Sequence, residues 1–227
     1  MSRPIVVAID GPAGSGKSSV SKAAAKILDY SYYDTGAAYR GLAFAAIQAG
    51  VDLDSEDAVV TVADNLDYVA SEDPDNQRFF VDGQDVTDAI RGPEVSGSVS
   101  YIAKHPQVRA ALVQHFRNVI DACQKPGIVM EGRDITTVVA PDAPVRVLLT
   151  AREETRIARR QAEVAGQVAA PQVAASLVSR DASDQSVVDF MNAAPGVTLL
   201  DSTPLTFDQT VDALLDIINR SSQEGSS

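Results

Sequence analysis

Short apolar runs alternate with longer segments of helical period along most of the chain. The runs have strand length and are rich in β-branched residues, which predicts strands at 4–10, 31–34, 127–130, 145–149 and 197–200. Apolar residues at helical spacing predict helices at 18–28, 35–50, 55–70, 94–104, 106–125, 174–180, 184–191 and 206–220. This alternation is typical of an α/β fold with a doubly wound, five-stranded parallel sheet and helices on both faces.

One segment, 71–92, interrupts the alternation. Residues 78–81 and 84–86 flank an Asp82-Gly83 pair, and Asp-Gly between two short apolar runs is the signal of a tight β-hairpin. Two strands joined by so short a turn run antiparallel. We therefore expect an antiparallel β insertion in the otherwise parallel architecture.

Residues 11–18 read Gly-Pro-Ala-Gly-Ser-Gly-Lys-Ser, which fits the phosphate-binding pattern G-x-x-x-x-G-K-[ST]. A glycine-rich turn can match this pattern by chance, but here a predicted strand precedes it and a predicted helix follows it. Backbone N–H groups and the helix dipole then face an anion. Lys17 would reach the outer phosphates, and the Ser18 hydroxyl would ligate Mg²⁺. The fold is therefore expected to be of the P-loop NTPase type.

Arginines stand at positions where a second anion could bind. Arg133 and Asp134 follow a predicted strand, and ligands of open α/β sheets collect at the carboxyl ends of strands. Arg40 near the start of the second helix would face either solvent or an anion. A further group shares one side of a predicted helix and forms either a solvated basic face or a mobile cover over phosphates. This group is Arg152, Arg156, Arg159 and Arg160.

The overall composition excludes several classes of partner. The 227-residue chain has a formal net charge of −12, which argues against general affinity for nucleic acid or for an anionic membrane. Its single cysteine, Cys123, allows no internal disulfide, and no apolar run approaches membrane-spanning length. We expect a cytoplasmic monomer. His105 and His115 are too few for a histidine metal site, so we interpret both as structural or surface residues.

The motifs also narrow the class of nucleotide enzyme. The chain has no Asn-Lys-x-Asp segment, which a GTPase would need to recognise guanine, and no strand that ends in paired acids as a mechanical ATPase would prefer. Arginines at strand ends and in the possible cover suggest two phosphate-bearing ligands. This favours phosphoryl transfer to a phosphorylated acceptor over hydrolysis.

Four further motifs resemble those of bacterial cytidylate kinases. They are Asp-Thr-Gly-Ala-Ala-Tyr-Arg at 34–40, Glu-Gly-Arg-Asp at 131–134, Pro-Asp-Ala-Pro-Val at 141–145 and Arg-Asp at 180–181. Their order and spacing match from residue 5 to about residue 220, and the hairpin matches this family's enlarged monophosphate-binding domain. The resemblance implies a nucleoside monophosphate kinase, a transferase that uses ATP and Mg²⁺ to phosphorylate CMP or dCMP.

The resemblance also implies how a single kinase domain is divided. The core would comprise 1–35, 106–151 and 171–220, the acceptor-binding insertion 36–105, and a lid over the phosphates 152–170. We expect the polar tail, 221–227, to be disordered.

The same resemblance implies which residues bind each substrate. ATP would lie on Gly11, Pro12, Ala13, Gly14, Ser15, Gly16, Lys17, Ser18 and Ser19. The acceptor would be held by Thr35, Tyr39, Arg40, Ser100, Arg109, Arg133, Asp134, Arg180 and Asp184. Within this set Arg40 and Arg133 would hold the phosphate, while Ser100, Arg109 and Asp134 would read cytosine. The residues expected to act on the transferred phosphoryl group are Lys17, Arg133, Arg156, Arg159 and Arg160.

One position departs from the family pattern. The family usually reads R-D-x-x-D-x-x-R from Arg180, but this chain has Val187 where the last arginine is expected. A lid arginine could replace it, acceptor binding could be weaker, or specificity could have shifted. Two rival functions stay open: a kinase for UMP or another monophosphate, and a nucleotide-binding regulatory module without turnover.

Overall fold

The main sheet is parallel and lies at the centre of the molecule. The computed structural model describes residues 3–163, 170–185 and 187–224. The strands of this sheet are β1 (Ile5–Asp10), β2 (Ser31–Asp34), β6 (Gly127–Gly132), β7 (Val145–Thr150) and β8 (Thr198–Asp201). They lie in the order β2-β6-β1-β7-β8, and every neighbouring pair is parallel. The predicted five-stranded parallel sheet is confirmed.

Helices cover both faces of this sheet. Their bounds are α1 (Lys17–Leu28), α2 (Thr35–Gln48), α3 (Glu56–Asp64), α4 (Pro93–Ala103), α5 (Pro106–Ala122), α6 (Glu153–Glu163), α7 (Ala170–Gln185) and α8 (Phe207–Glu224). Val6 and Ala8 of β1 point into a core shared with α2 and α5, while Val7 and Ile9 point into a second core shared with α1 and α8. Successive strand residues face opposite sides, so a strand buried on both faces is apolar throughout.

A small antiparallel sheet lies beside α2. Its strands are β3 (Tyr68–Ala70), β4 (Phe79–Val81) and β5 (Gln84–Asp85), in the order β3-β4-β5. Asp82 and Gly83 join β4 to β5 with φ angles of 50° and 76°, the left-handed pair that a tight hairpin turn of type I′ requires. The predicted hairpin is therefore confirmed.

The predicted helix 55–70 is too long. Helix α3 ends at Asp64, and residues 68–70 form β3, which pairs with β4. The Tyr68 ring packs so closely on α2 that a Cβ at Gly41 would lie 2.6 Å from it. Pairing with β4 and packing on α2 are contacts between distant parts of the chain, and they outweigh the helical period of this segment.

The helix predicted at 174–180 is part of a longer helix, and the separate helix predicted at 184–191 is wrong beyond residue 185. Helix α7 is continuous from Ala170 to Gln185, and 188–190 are not helical. The Asp189 carboxylate accepts hydrogen bonds from the backbone N–H groups of Met191 and Asn192, and such a local bond competes with helix formation. Residues 166–171, a run of small residues that the sequence predicts to be a hinge, lie mostly outside the described residues. At the other end, α8 continues to Glu224, so the first four residues of the predicted tail, 221–224, are helical.

None of the helices within the described ranges is both long enough and apolar enough to cross a membrane. His105 Nε2 donates to the Leu53 carbonyl at 2.8 Å, and His115 shares a 2.8 Å hydrogen bond with the Tyr33 hydroxyl. Both histidines therefore have structural partners.

Phe116, in the core shared with α2 and α5, allows a prediction about stability. Phe116 is 1% exposed, and its ring lies 6.0 Å from Tyr33 and 6.2 Å from Tyr39, measured between ring centroids. Phe116→Ala should lower the free energy of unfolding by about 3–5 kcal/mol, because it removes buried contacts and leaves a cavity. Urea titration measures the change. Phe207→Ala is the matched control, since Phe207 is 52% exposed, and it should change the free energy by no more than about 0.5 kcal/mol.

Candidate functional site

The glycine-rich loop, residues 11–16, joins β1 to α1 at the carboxyl edge of the main sheet. Gly11 packs so closely on β7 that a Cβ there would lie 2.1 Å from the Leu149 carbonyl oxygen. Gly16 caps α1 with a φ of 90° and offers no side-chain hydrogen bond to the helix. The first N–H groups of α1 are thus left without a side-chain cap, which makes the helix start a ready anion site. The Ser15 hydroxyl is buried in the same loop, and no residue in the described part of the chain forms a hydrogen bond with it.

A buried acid at the end of β6 anchors the first residues of α1. Glu131 is 3% exposed, and its carboxylate accepts hydrogen bonds from the hydroxyls of Ser18 (2.5 Å) and Tyr32 (3.0 Å). Its other oxygen lies 3.6 Å from the Lys17 ammonium nitrogen. Glu131 belongs to the motif at 131–134, but no role was predicted for it. Its position, an acid at the end of the strand that lies beside β1, was the signal that could have indicated a role.

Lys17 has an unusual pKa. Burial lowers it first, and the nearby positive charge of Arg133 lowers it further, while Glu131 opposes both effects; together they bring the pKa of Lys17 to about 8. At neutral pH the ammonium is still largely charged, and any added negative charge would raise the pKa again.

Oxygen donors beside the loop fit Mg²⁺. The Ser18 hydroxyl lies on an exposed residue, and the Glu131 carboxylate is its direct partner. Mg²⁺ prefers such hard oxygen ligands and usually takes only one or two from the protein, with phosphates and water completing the shell. In agreement, the described part of the chain contains no cluster of three or more histidine, cysteine or acidic side chains that could hold a metal by itself.

Two of the four arginines predicted to share a helix side reach the loop. Arg156 is 4% exposed, and its Nη1 donates to the Ala13 carbonyl at 2.8 Å. Nη1 of Arg159 donates to the Ser15 carbonyl at 3.1 Å. Arg160 instead pairs with Glu163 at the surface, and Arg152 is exposed. The basic face is therefore split between the loop and solvent.

An acidic residue from α7 also reaches the loop. The Asp181 carboxylate accepts a 2.9 Å hydrogen bond from the Ala13 N–H and forms a buried ion pair with Arg156. One backbone amide of the loop thus already binds a negatively charged oxygen. Asp181 belongs to the Arg-Asp motif at 180–181, but no role was predicted for it, because a local pattern does not show that its side chain reaches a loop 168 residues away.

Arg133 links the loop to the neighbouring part of the site. Its Nη1 donates to the Gly11 carbonyl at 2.7 Å, and its Nε donates to Asp184 at 3.0 Å. The turn that carries it is held by Asp10, whose buried carboxylate accepts hydrogen bonds from the backbone N–H groups of Ile135 and Thr136. Burial raises the pKa of Asp10, and the bonds from Thr136 oppose that rise.

Beside Arg133, Asp134 and Arg109 form a second ion pair. Arg109 Nη2 donates to the Asp134 carboxylate at 2.8 Å, and Arg109 Nη1 donates to the Val187 carbonyl at 3.3 Å. Burial raises the pKa of Asp134, although the positive charge of Arg109 opposes it. Burial, together with the Asp134 charge, also raises the pKa of the nearby Tyr39 hydroxyl.

Arg40 is neither free in solvent nor fully satisfied. Its Nη2 donates to Asp34 at 2.9 Å, while its buried Nε has no hydrogen-bond partner among the described residues. Burial alone would raise the pKa of Asp34, but Arg40, the Ala37 N–H and Lys17 outweigh it and lower that pKa. Thr35, next in the chain, donates its hydroxyl to the Glu131 carbonyl at 2.8 Å.

The remaining predicted residues are less well defined. Ser19 is exposed on α1, and Ser100 is half-buried on α4. Arg180 lies on α7, but its side chain lies outside the described residues.

Comparisons with known proteins agree with this architecture. The sequence profile described as Cytidylate kinase matches residues 7–220. A cytidylate kinase of Cutibacterium acnes is 46% identical over 95% of this chain and 96% of its own length. A cytidylate kinase of Azotobacter vinelandii is 44% identical over the same shares. Among solved structures, an uncharacterised protein from Eubacterium ventriosum resembles the fold with a TM-score of 0.53 and 12% identity, covering 95% of this chain and 98% of that one.

Both the length of the profile match and the degree of identity exceed what a shared fold alone would produce. The resemblance to nucleoside monophosphate kinases predicted from the sequence is therefore confirmed. This chain belongs to the cytidylate kinase family, whose members are enzymes.

Proposed function

We propose that this protein transfers the γ-phosphoryl group of ATP to CMP or dCMP, with Mg²⁺, giving ADP and CDP or dCDP. The observation that carries the proposal is the position of Arg133. Its guanidinium forms hydrogen bonds both with Gly11 of the glycine-rich loop and with Asp184, which is predicted to bind the acceptor. One cation thus adjoins both a donor site and an acceptor site, as transfer between two phosphates requires.

The donor side of the proposal rests on the loop and the start of α1. Residues 11–19 supply backbone N–H groups for the ATP phosphates, and Lys17 adds a positive charge beside them. Ser18 and Glu131 would hold the Mg²⁺ ion, which when bound offsets the charge of the phosphates. The Arg156 and Arg159 contacts to loop carbonyls keep two further guanidiniums within reach of the outer phosphate.

The acceptor side is chemically suited to cytosine. The cytosine edge offers an amino donor and two acceptors, N3 and O2. The Asp134 carboxylate can accept from the amino group, while Arg109 and Ser100 can donate to the acceptors. Uracil presents a carbonyl in place of the amino group, so the Asp134 carboxylate would oppose it. Arg40 and Arg133 would hold the phosphate, with Thr35 and Tyr39 beside them and Arg180 and Asp184 toward the sugar.

No general base is needed for this reaction. The attacking group is an oxygen of the CMP phosphate, which is already largely ionised at neutral pH because its second pKa is about 6. The protein then has to align two phosphates and neutralise their charge. Lys17 and the arginines meet both requirements, and closure of the predicted lid would exclude water that could otherwise hydrolyse ATP.

The specific prediction of substrate is tested with a panel of monophosphates. We expect ADP release from ATP and Mg²⁺ to depend on added CMP or dCMP, and to be at least tenfold slower with UMP, AMP or GMP. A coupled assay for ADP measures the rate with each acceptor. Equal rates with UMP would show a different monophosphate kinase, and no acceptor-dependent release would favour a binding module without turnover.

Loss of the Lys17 charge should abolish transfer. Lys17→Met removes the ammonium that lies beside the phosphates, so turnover should fall by several orders of magnitude while the fold remains intact. Initial rates and thermal denaturation measure the two effects. Lys26→Met is the control, because Lys26 lies on the same helix but pairs with Asp75 at the surface. Equal activity of Lys17→Met and the native protein would contradict the placement of ATP on this loop.

The lowered pKa of Lys17 predicts proton uptake on ATP binding. In the free protein about half of the Lys17 side chains are neutral at pH 8. Bound triphosphate raises the pKa, so binding should take up little proton at pH 7, about half a proton at pH 8 and most of one at pH 9. ATP affinity should fall correspondingly above pH 8.

Calorimetry in two buffers of different ionisation heat measures this uptake. Lys17→Arg is the matched control, because a guanidinium stays charged across this range and should show no uptake. Binding heats of the native protein that do not depend on the buffer at pH 9 would contradict the assignment.

A further inference from the structure

Phe190 is a buried aromatic residue beside the site. It is 1% exposed, while its neighbours Asp189 and Met191 are both exposed. Neither of the two hydrophobic clusters that flank the sheet includes it. Its ring lies instead under the guanidinium of Arg133, whose carbon is 4.9 Å from the ring centroid. A fully buried aromatic ring thus packs against a charged residue of the site.

The contacts of Arg133 restrain it in complementary ways. The bonds from Nε to Asp184 and from Nη1 to the Gly11 carbonyl lie in the plane of the guanidinium and fix its direction. The Phe190 ring covers one face and restrains its tilt. Nη2 makes no hydrogen bond with the residues that the structure describes, and the side chain remains 20% exposed. One N–H edge is therefore held ready for a ligand.

The stretch of chain after α7 contributes uncharged groups where the resemblance predicts a cation. At Val187, where the resemblance predicts an arginine, the chain contributes only its backbone carbonyl, which accepts a hydrogen bond from Arg109. Three residues later it contributes the Phe190 ring to Arg133. The stretch after α7 therefore adds no charge of its own and braces two arginines that come from elsewhere. Because the site has one guanidinium fewer than the family pattern predicts, the orientation of Arg133 should matter more for binding the acceptor phosphate.

We propose that Phe190 is a positioning residue for the acceptor: its ring holds the Arg133 guanidinium in the orientation that binds the acceptor phosphate. This inference rests on the proposed function. The ring attracts the cation through its π face and excludes water from one side of the guanidinium. Its loss should weaken acceptor binding while leaving ATP binding and the transfer step nearly unchanged.

The test separates the π face from simple filling of space. Phe190→Leu keeps an apolar side chain but has no ring, and replacement of Phe190 by trifluorophenylalanine keeps the shape but weakens the π face. Both should raise KM for CMP about three- to tenfold, with kcat and KM for ATP within about twofold of the native values. Phe190→Tyr should retain the native KM. Phe207→Leu, at an exposed phenylalanine, is the control that should change nothing.

A double-mutant comparison identifies Arg133 as the partner. In an Arg133→Ala background, which has a raised KM of its own, Phe190→Leu should raise KM for CMP no further. An unchanged KM in both ring-altered variants would overturn the proposal, and so would an equal rise in both backgrounds. If the native protein fails to phosphorylate any monophosphate, the proposed function fails instead, and the two failures are thereby distinguished.

Discussion

The parallel pairing of β1 with β6 is the constraint on which the site depends. It places Asp10 opposite Gly132, so the loop after β1 and the turn after β6 leave the same edge of the sheet side by side. Glu131, the residue before Gly132, then reaches Lys17 and Ser18 at the start of α1. Asp10 in return holds the turn that carries Arg133. Because each strand end anchors the other's loop, the residues proposed to bind the donor and the acceptor lie side by side at this edge.

Paired charge is the second feature of this edge. The chain carries a net charge of −12, yet five of its cations lie at this edge, each beside an acid. The pairs are Lys17 with Glu131, Arg40 with Asp34, Arg109 with Asp134, Arg133 with Asp184 and Arg156 with Asp181. Buried cations without partners are costly, so the acids make the cluster tolerable in the absence of ligand. A phosphate that replaces a carboxylate as partner keeps the cation paired, while the displaced acid must find another partner or a proton.

Membership of the cytidylate kinase family and the local architecture of this chain carry different information. The family accounts for the loop, the sheet and the motifs at 34–40 and 131–134. In the stretch after α7, Val187 offers a carbonyl to Arg109 and Phe190 a ring to Arg133, near the position where the resemblance predicts a further arginine. In the proposed site, this stretch therefore supports two arginines through uncharged groups.

The sequence by itself determined the elements whose pattern is local. Apolar runs marked the strands of the main sheet, the Asp82-Gly83 pair marked the hairpin, and the glycine loop marked the anion site. Only the tertiary structure decided which side chains meet there. Residues 68–70 became a strand because β4 lies beside them, and Glu131 and Asp181 reached the loop from more than a hundred residues away. Such contacts depend on how distant segments pack, which no local periodicity records.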